Sequence, residues 1–299
     1  APCARSSGAR RPMSAGSQFR LLAERRFLPF FGAQALGAFN DNVYKNALVI
    51  LATYHAASWT TLAPAMLTNL AAALFIPPFV LFSGLAGPLA DRYDKTRVMQ
   101  TVKAAEVGIM ALAGTGFALH SLPLLLGALF LMGAHSTFFA PAKYGLLPQV
   151  LDDRELVGGN ALVEMGTFVS ILLGTLAAGV LAANADPAAD VAPLVAVLLG
   201  VALAGLVASL AMPRLAPTAP RLRIDWNPWT STLDNLRAAR EQRTVFLSVL
   251  GNSWFWFYGA LVLTQLPAYA KDVLNGSEPL VTWLLVAFTL GVGLGSLLC

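Results

Sequence analysis

The chain has 299 residues, 57% of them hydrophobic and 12% charged, with a mean hydropathy of +0.64 and a formal net charge of +4. A soluble domain carries about a quarter of its residues as charges, so this composition excludes an ordinary soluble fold and reads as an all-α polytopic membrane protein. A sequence pI near 9.3 does not point to nucleic acid, because the basic residues are parcelled into short connections between apolar runs.

Residues 1–26 form a basic tail. Met13 is a more natural start than Ala1, so residues 1–12 read as an extended start. "RRFLPFF" (25–31) resembles a twin-arginine export signal, but the apolar run continues without a small-residue cleavage site. It reads instead as the flank of a first span. The only cysteines, Cys3 and Cys299, lie at the two ends and build neither a disulfide framework nor a zinc site. His55, His120 and His135 have no metal-ligand spacing, and no cofactor is expected.

A helix crossing a bilayer needs about 20 mainly apolar residues. Eight candidate spans satisfy this, at roughly 27–54, 62–87, 98–119, 122–148, 157–183, 191–212, 244–270 and 280–299. In the first, "GAFNDNVYKNAL" (37–48) puts Asp41 about 21 Å in, near the middle of a core about 30 Å thick. A carboxylate or ammonium there costs about 2.5 to 3.5 kcal/mol. Gln34, Asp41 and Lys45 share one face, with Asp41 and Lys45 a turn apart and able to pair, while Asn42 and Asn46 follow the same spacing on an adjoining face and Asn40 lies beside them. That stripe faces either a cavity or another helix, as a site or as an ion pair that fixes packing.

After the second span comes "GPLADRYDKTR" (87–97), in which Gly87 permits close helix approach and Asp91 can accept from a helix N-terminus. Arg92, Lys95 and Arg97 can pair with Asp152, Asp153 or Glu155 of a later connection. Lys103 and Glu106, in the third span, read as structural. The fourth carries His135, Lys143 and Tyr144 on a helix bent by Pro141 and Pro148, and the fifth carries Asn160, Glu164 and Thr167 on one face. Lys143 and Glu164 lie toward the same end and can pair.

Residues 213–243 are the one long connection, Pro- and Arg-rich, with Trp226, Trp229 and "LDNLRAAREQR" suited to an amphipathic element at the interface. The run "WFWFY" (254–258) in the seventh span reads as packing or lipid-facing, or alternatively as a wall for an acyl chain. Lys and Arg gather in alternate connections, which predicts a cytoplasmic N-terminus; the opposite connections hold only Lys271 beside Asp186, Asp190, Asp272 and Glu278. The organisation is thus a tail (1–26), a six-helix half (27–212), an inter-half loop (213–243) and the start of a second half (244–299). The eighth span meets the chain end without a polar flank, so the natural protein is expected to continue.

The loop at 87–97 resembles the signature cytoplasmic loop of the major facilitator superfamily, matched at Gly87, Asp91, Arg92, Lys95 and Arg97. Asp94 stands where the family usually has glycine, and an Asp tolerates the left-handed turn. The resemblance implies an alternating-access carrier in which this loop acts as a latch, spans one, four and five line the substrate path, and span three is peripheral. "QALGAFNDNVYKNALVIL", "FFAPAKYGLLPQ" and "LVGGNALVEMGTFVSILLGTLAAGVLA" further resemble the bacterial lysophospholipid transporters, including forms fused to an acyltransferase and an acyl-ACP synthetase.

That resemblance implies movement of lysophosphatidylethanolamine-like lipid across the inner membrane for re-acylation. Asn40, Asp41, Asn42, Lys45, Lys143, Tyr144, Asn160 and Glu164 would line the path, with Asp41 taking an ammonium and Lys143 a phosphate. The family's seventh-span charges are missing here. A general exporter of drugs or metabolites, proton-driven through Asp41 or Glu164, is the alternative. No His-x4-Asp motif occurs, so acyltransferase chemistry is expected only beyond residue 299.

Overall fold

The computed structural model describes residues 18–59, 64–183, 191–275 and 278–298. Cys3, Met13, Cys299, Asp186 and Asp190 lie outside the described residues, as do the side chains of His55, Lys271, Asp272 and Glu278. Every regular element among the described residues is helical. A 3-10 turn, Phe19–Ala23, leads into α1, Leu28–Trp59. There follow α2 (Pro64–Phe75), α3 (Pro77–Arg92), α4 (Lys95–Ala118), α5 (Leu122–Val150), α6 (Leu156–Ala183) and α7 (Ala192–Leu210). A short α8 (Pro228–Glu241) precedes α9 (Arg243–Asp272) and α10 (Glu278–Leu298).

Four described stretches are long and apolar enough to cross a membrane by composition alone: Asn69–Arg92, Leu122–Val150, Leu156–Ala182 and Ala192–Leu210. Helices α1 and α4 have membrane length, 32 and 24 residues, but dilute their hydropathy with polar side chains. The second span is not one continuous helix, as the hydropathy suggests. It breaks at Ile76, because Pro77 and Pro78 supply no N–H to the preceding turn. The break is packed rather than loose: Gly133 of α5 lies directly against the Phe75 carbonyl, where a Cβ would collide.

Helix α1 packs chiefly on α6 and α7, α4 lies between α5 and α7, α3 packs on α5, and α10 packs on α6. Two large apolar clusters result, beside a small one at Leu67 and Leu122. One gathers Tyr44, Leu48, Met110, Phe117, Leu125 and Leu198; the other gathers Phe27, Phe30, Met99, Leu146, Leu162 and Met212. Between these clusters lie Asn40 and Asp41 of α1, Lys103 and Glu106 of α4, His135 and Ser136 of α5, and Glu164 and Thr167 of α6.

Close helix contact rests on small residues, as it must where lipid is no less apolar than leucine. Gly174 of α6 is the tightest such point on α1, since a Cβ there would lie 2.5 Å from the Phe39 carbonyl oxygen and 3.0 Å from Asn42 Cβ. Gly179, on the same helix, has nothing within 4 Å of that position. Gly174→Leu is expected to cost about 1–3 kcal/mol by overpacking, read as a lowered thermal unfolding temperature in detergent, while Gly179→Leu leaves it unchanged; equal behaviour of the two variants would contradict this packing.

Candidate functional site

The polar stripe of α1 meets side chains of four other helices. Asn40 is fully buried and donates from Nδ2 to Glu106 Oε1 of α4 at 3.1 Å. Asp41 Oδ2 accepts from the Ser136 hydroxyl of α5 at 3.1 Å, and its Oδ1, shielded from solvent, has no hydrogen-bond partner among the described residues. Asn42 donates back to the Ala38 carbonyl, and Asn46 reaches Thr175 of α6 at 3.1 Å. The expected Asp41–Lys45 pair is not formed: no ion pair within 4.0 Å joins them, and Lys45 Nζ lies instead 5.6 Å from the centre of the Phe75 ring. Sharing a helix face did not bring the two side chains together, because each found a neighbour on another helix.

Lys103 and Glu106, read from sequence as structural members of a peripheral helix, are at the centre. They form a fully buried ion pair at 2.6 Å, one turn apart on α4. The lysine stem enters a notch made by Gly37 of α1 and Gly205 of α7, and its Nζ lies 5.3 Å from the Phe139 ring of α5. His135, expected to be a packing or interfacial residue, is buried with Nε2 3.3 Å from Glu106 Oε2. One carboxylate thus gathers groups from α1, α4 and α5. The glycines opposite the lysine were the available signal, but sequence gives no means of pairing Gly37 with position 103.

A second polar chain crosses α5, α6 and α1. Lys143 Nζ donates to Thr167 Oγ1 at 3.1 Å, and Thr167 lies 3.0 Å from Gln34 Oε1. The anticipated Lys143–Glu164 pair is not formed. Glu164 Oε1 accepts from the Tyr144 hydroxyl at 2.7 Å, and Lys143 Nζ stands 5.0 Å over the Tyr144 ring. Lys143 is buried whereas Tyr144 is exposed. Asn160 is exposed and bonds only to its own helix, through the Leu156 carbonyl at 2.9 Å, so the structure does not bring it to the other site residues. Asp41 and Lys143, ionisable groups of opposite type, thus each have a hydroxyl as hydrogen-bond partner.

The loop at 87–97 departs from its sequence reading in four respects. Nothing lies within 4 Å of a Cβ on Gly87; the close approach is at Gly84, where a Cβ would come 2.7 Å from Thr232 Oγ1 and 2.9 Å from the Pro228 carbonyl of α8. Asp94 is not left-handed: its φ is −55° and its ψ 116°. It caps α4 by accepting from Thr96 N at 2.9 Å, the role that favours Asp at this position, and also accepts from Leu215 N at 3.2 Å. Asp91 pairs with Lys95 at 3.3 Å rather than with a helix N-terminus.

Glu155 does not serve the loop's basic residues: Arg26 takes it at 2.7 Å while also donating to Glu24 and the Val150 carbonyl. The loop is instead strapped by 213–219, through Thr96 to the Pro213 carbonyl, Lys95 and Gln149 to Thr218, and Ala219 N to the Asp91 carbonyl. Lys95 is buried against Gly145, where a Cβ would sit 2.7 Å from its Cε.

These features define a multi-pass, all-helical membrane protein with an ionisable interior bounded by α1, α4, α5 and α6. Residues 30–299 match the family model of the Major Facilitator Superfamily, and the chain belongs to that family. Among curated proteins it is similar to the lysophospholipid transporter LplT of Klebsiella pneumoniae, 28% identical over 278 residues, covering 92% of this chain and 66% of the relative. It is also similar to LplT of Escherichia coli O1:K1 and of Shigella boydii, 31% and 32% identical over 273 residues, covering 88% of this chain and 63% of each relative. The chain thus spans slightly under two thirds of the length of these relatives.

Replacing one partner of the buried pair leaves the other charge uncompensated. Lys103→Met is expected to cost about 3–5 kcal/mol, and Lys103→Met with Glu106→Leu to cost less than Lys103→Met alone; thermal unfolding of the three proteins measures this, and additive losses would refute the coupling. The Arg26 guanidinium holds Glu155 below the usual carboxylate range. Because folding lowers its proton affinity, that bridge contributes fully above the ordinary value of 4.5 and is lost as pH falls below it. An unfolding temperature followed from pH 7 to acid should drop less steeply in Arg26→Gln than in the unmodified protein.

Proposed function

We propose that this chain forms the first half, and the beginning of the second, of a secondary transporter that moves a lysophospholipid across the bacterial inner membrane by alternating access. The observation that carries the reading is a pair of buried ionisable side chains of opposite type, each bonded to a hydroxyl and with no ion pair within 4.0 Å among the described residues: Asp41 to Ser136 and Lys143 to Thr167. A zwitterionic head group supplies what both lack. Its ammonium fits the buried, unpaired Oδ1 of Asp41, and its phosphate fits the Lys143 ammonium, each as a charge-assisted hydrogen bond. The similarity to LplT proteins supports the same substrate class.

In this reading Gln34 and Thr167 hold Lys143 while no cargo is present, and Tyr144 holds Glu164 away from it. Lys45, Asn40 and Asn42 shape the α1 wall. The Asp91–Lys95 pair and the 213–219 strap form the latch that one conformation keeps and the other releases. The N-terminus lies in the cytoplasm, the cargo leaves toward the inner leaflet, and re-acylation follows on an acyltransferase or acyl-ACP synthetase that is a partner or a fused domain.

A charge-assisted hydrogen bond is worth about 1.5–3 kcal/mol, so losing either head-group contact should slow transport by roughly tenfold or more. Uptake of labelled lysophosphatidylethanolamine into spheroplasts is expected to fall by that factor in Asp41→Asn and in Lys143→Ala, with both variants present in the membrane at normal levels. Unchanged uptake in both would remove these two residues from the path.

A further inference from the structure

A groove of about 1100 Å³ runs between α3, α4 and α5, and neither Asp41 nor Lys143 lines it. Its wall is almost wholly apolar through most of its length, with Val102, Ile109 and Leu112 on one side and Leu131 and Phe138 on the other. One end is different: Arg92 and Arg97 of the signature loop and Arg214 of the strap converge there. From Arg97 to Leu112 the groove extends about 22 Å along α4, more than the ~15 Å depth of one leaflet of a ~30 Å hydrocarbon core.

The three arginines are not neutralised by the protein. None forms an ion pair within 4.0 Å among the described residues, and Arg92 rests 5.6 Å from the Tyr93 ring. Asp94, the carboxylate on the described groove wall, is already occupied in capping α4 and bonding Leu215 N. Three like charges held at one groove mouth repel one another unless an anion lies among them, and guanidinium groups bind phosphate oxygens in a planar fork. An acyl chain along the apolar wall with a phosphate at the arginines satisfies both halves of the groove at once.

We propose that this groove is a binding site for an anionic glycerophospholipid of the surrounding bilayer, distinct from any transported cargo. Its phosphate bridges Arg214 of the strap to Arg92 and Arg97 of the loop, and one acyl chain lies against α4 and α5. The lipid thereby pins the strap to the loop. Its chain also reaches His135, whose buried ring separates the groove from Glu106, so the lipid completes the low-dielectric side of the Lys103–Glu106 pair.

Gly108 provides a test that leaves the packing intact, because it lines the groove, is exposed, and has nothing within 4 Å of a Cβ position. Gly200 of α7 is equally open but lies elsewhere. The full-length natural protein, purified in detergent, is titrated with phosphatidylglycerol and read by native mass spectrometry for retained lipid and by its thermal unfolding temperature. Retention and thermal stabilisation are expected to weaken at least fivefold in Gly108→Phe and in the triple variant Arg92→Gln, Arg97→Gln, Arg214→Gln, and to be unchanged in Gly200→Phe. If the triple variant fails to fold, the two glycine variants decide alone. Phosphatidylglycerol binding that survives Gly108→Phe overturns the proposal. So does equal competition by lysophosphatidylethanolamine, which would make the groove a cargo vestibule, or a dimer lost in Gly108→Phe with lipid retention unaltered, which would make it an interface between copies.

Discussion

The Lys103–Glu106 pair lies where four helices meet, and the geometry of the bundle follows from the need to keep it closed. An ammonium and a carboxylate in hydrocarbon are tolerable only when they meet each other and their remaining donors and acceptors are met as well. Glu106 uses one oxygen for Lys103 and the other for Asn40, with His135 alongside. Lys103 fits only because Gly37 and Gly205 leave room for its head group, which fixes the separation of α1 and α7 around α4. Any larger residue at position 37 would displace the lysine. A displaced lysine would leave Glu106 charged and alone, so one methyl group there is coupled to the electrostatics of the entire centre.

That closed pair gives its contrast to the rest of the interior. Lys103 and Glu106 neutralise each other, whereas Asp41 and Lys143 do not, although all four are on helices of one unit. The difference is one of helix position. Residues one turn apart on α4 pair directly, while Asp41 of α1 and Lys143 of α5 each turn to a hydroxyl, Ser136 and Thr167. A hydroxyl can both hold an ion and release it at small cost, since the net worth of a hydrogen bond to a charged group is about 1.5–3 kcal/mol against the several kcal/mol of breaking a buried ion pair. Closed pairs therefore fix structure, and hydroxyl-held ions remain exchangeable.

Sequence carried the positions of most long helices and the existence of the polar stripe, because both are one-dimensional: hydropathy marks length, and helical period marks a face. It did not carry partners. Gln34, Asp41 and Lys45 do share a face, but the face is bordered by α6 at Gln34, α5 at Asp41 and α2 at Lys45, and only the bundle determines that order. The loop shows the same limit. Gly84 and Gly87 are about 60° apart around α3, and which of them meets α8 depends on how α3 is rotated, a quantity no periodicity contains. The Ile76 break was readable in principle from Pro77 and Pro78, yet the apolar run across it hid the interruption.

The strap explains why the long connection is more than a tether. Residues 213–219 use backbone groups to bind the loop, so the contact does not depend on the strap's side chains beyond Thr218. Its continuation, α8, is fixed by a different device: Asn227 caps its first turn, accepting from Trp229 N at 3.1 Å, and the Ser231 hydroxyl bonds the Gly84 carbonyl of α3. Trp226 and Trp229 remain exposed beside it. The connection that joins α7 to α9 therefore grips the unit before it at α3, at the α3–α4 turn and at Gln149 of α5. Since Lys95, buried against Gly145 of α5, is itself bonded to Thr218, any rotation of α9 that pulls on the strap acts on α5, the helix that carries both His135 and Lys143.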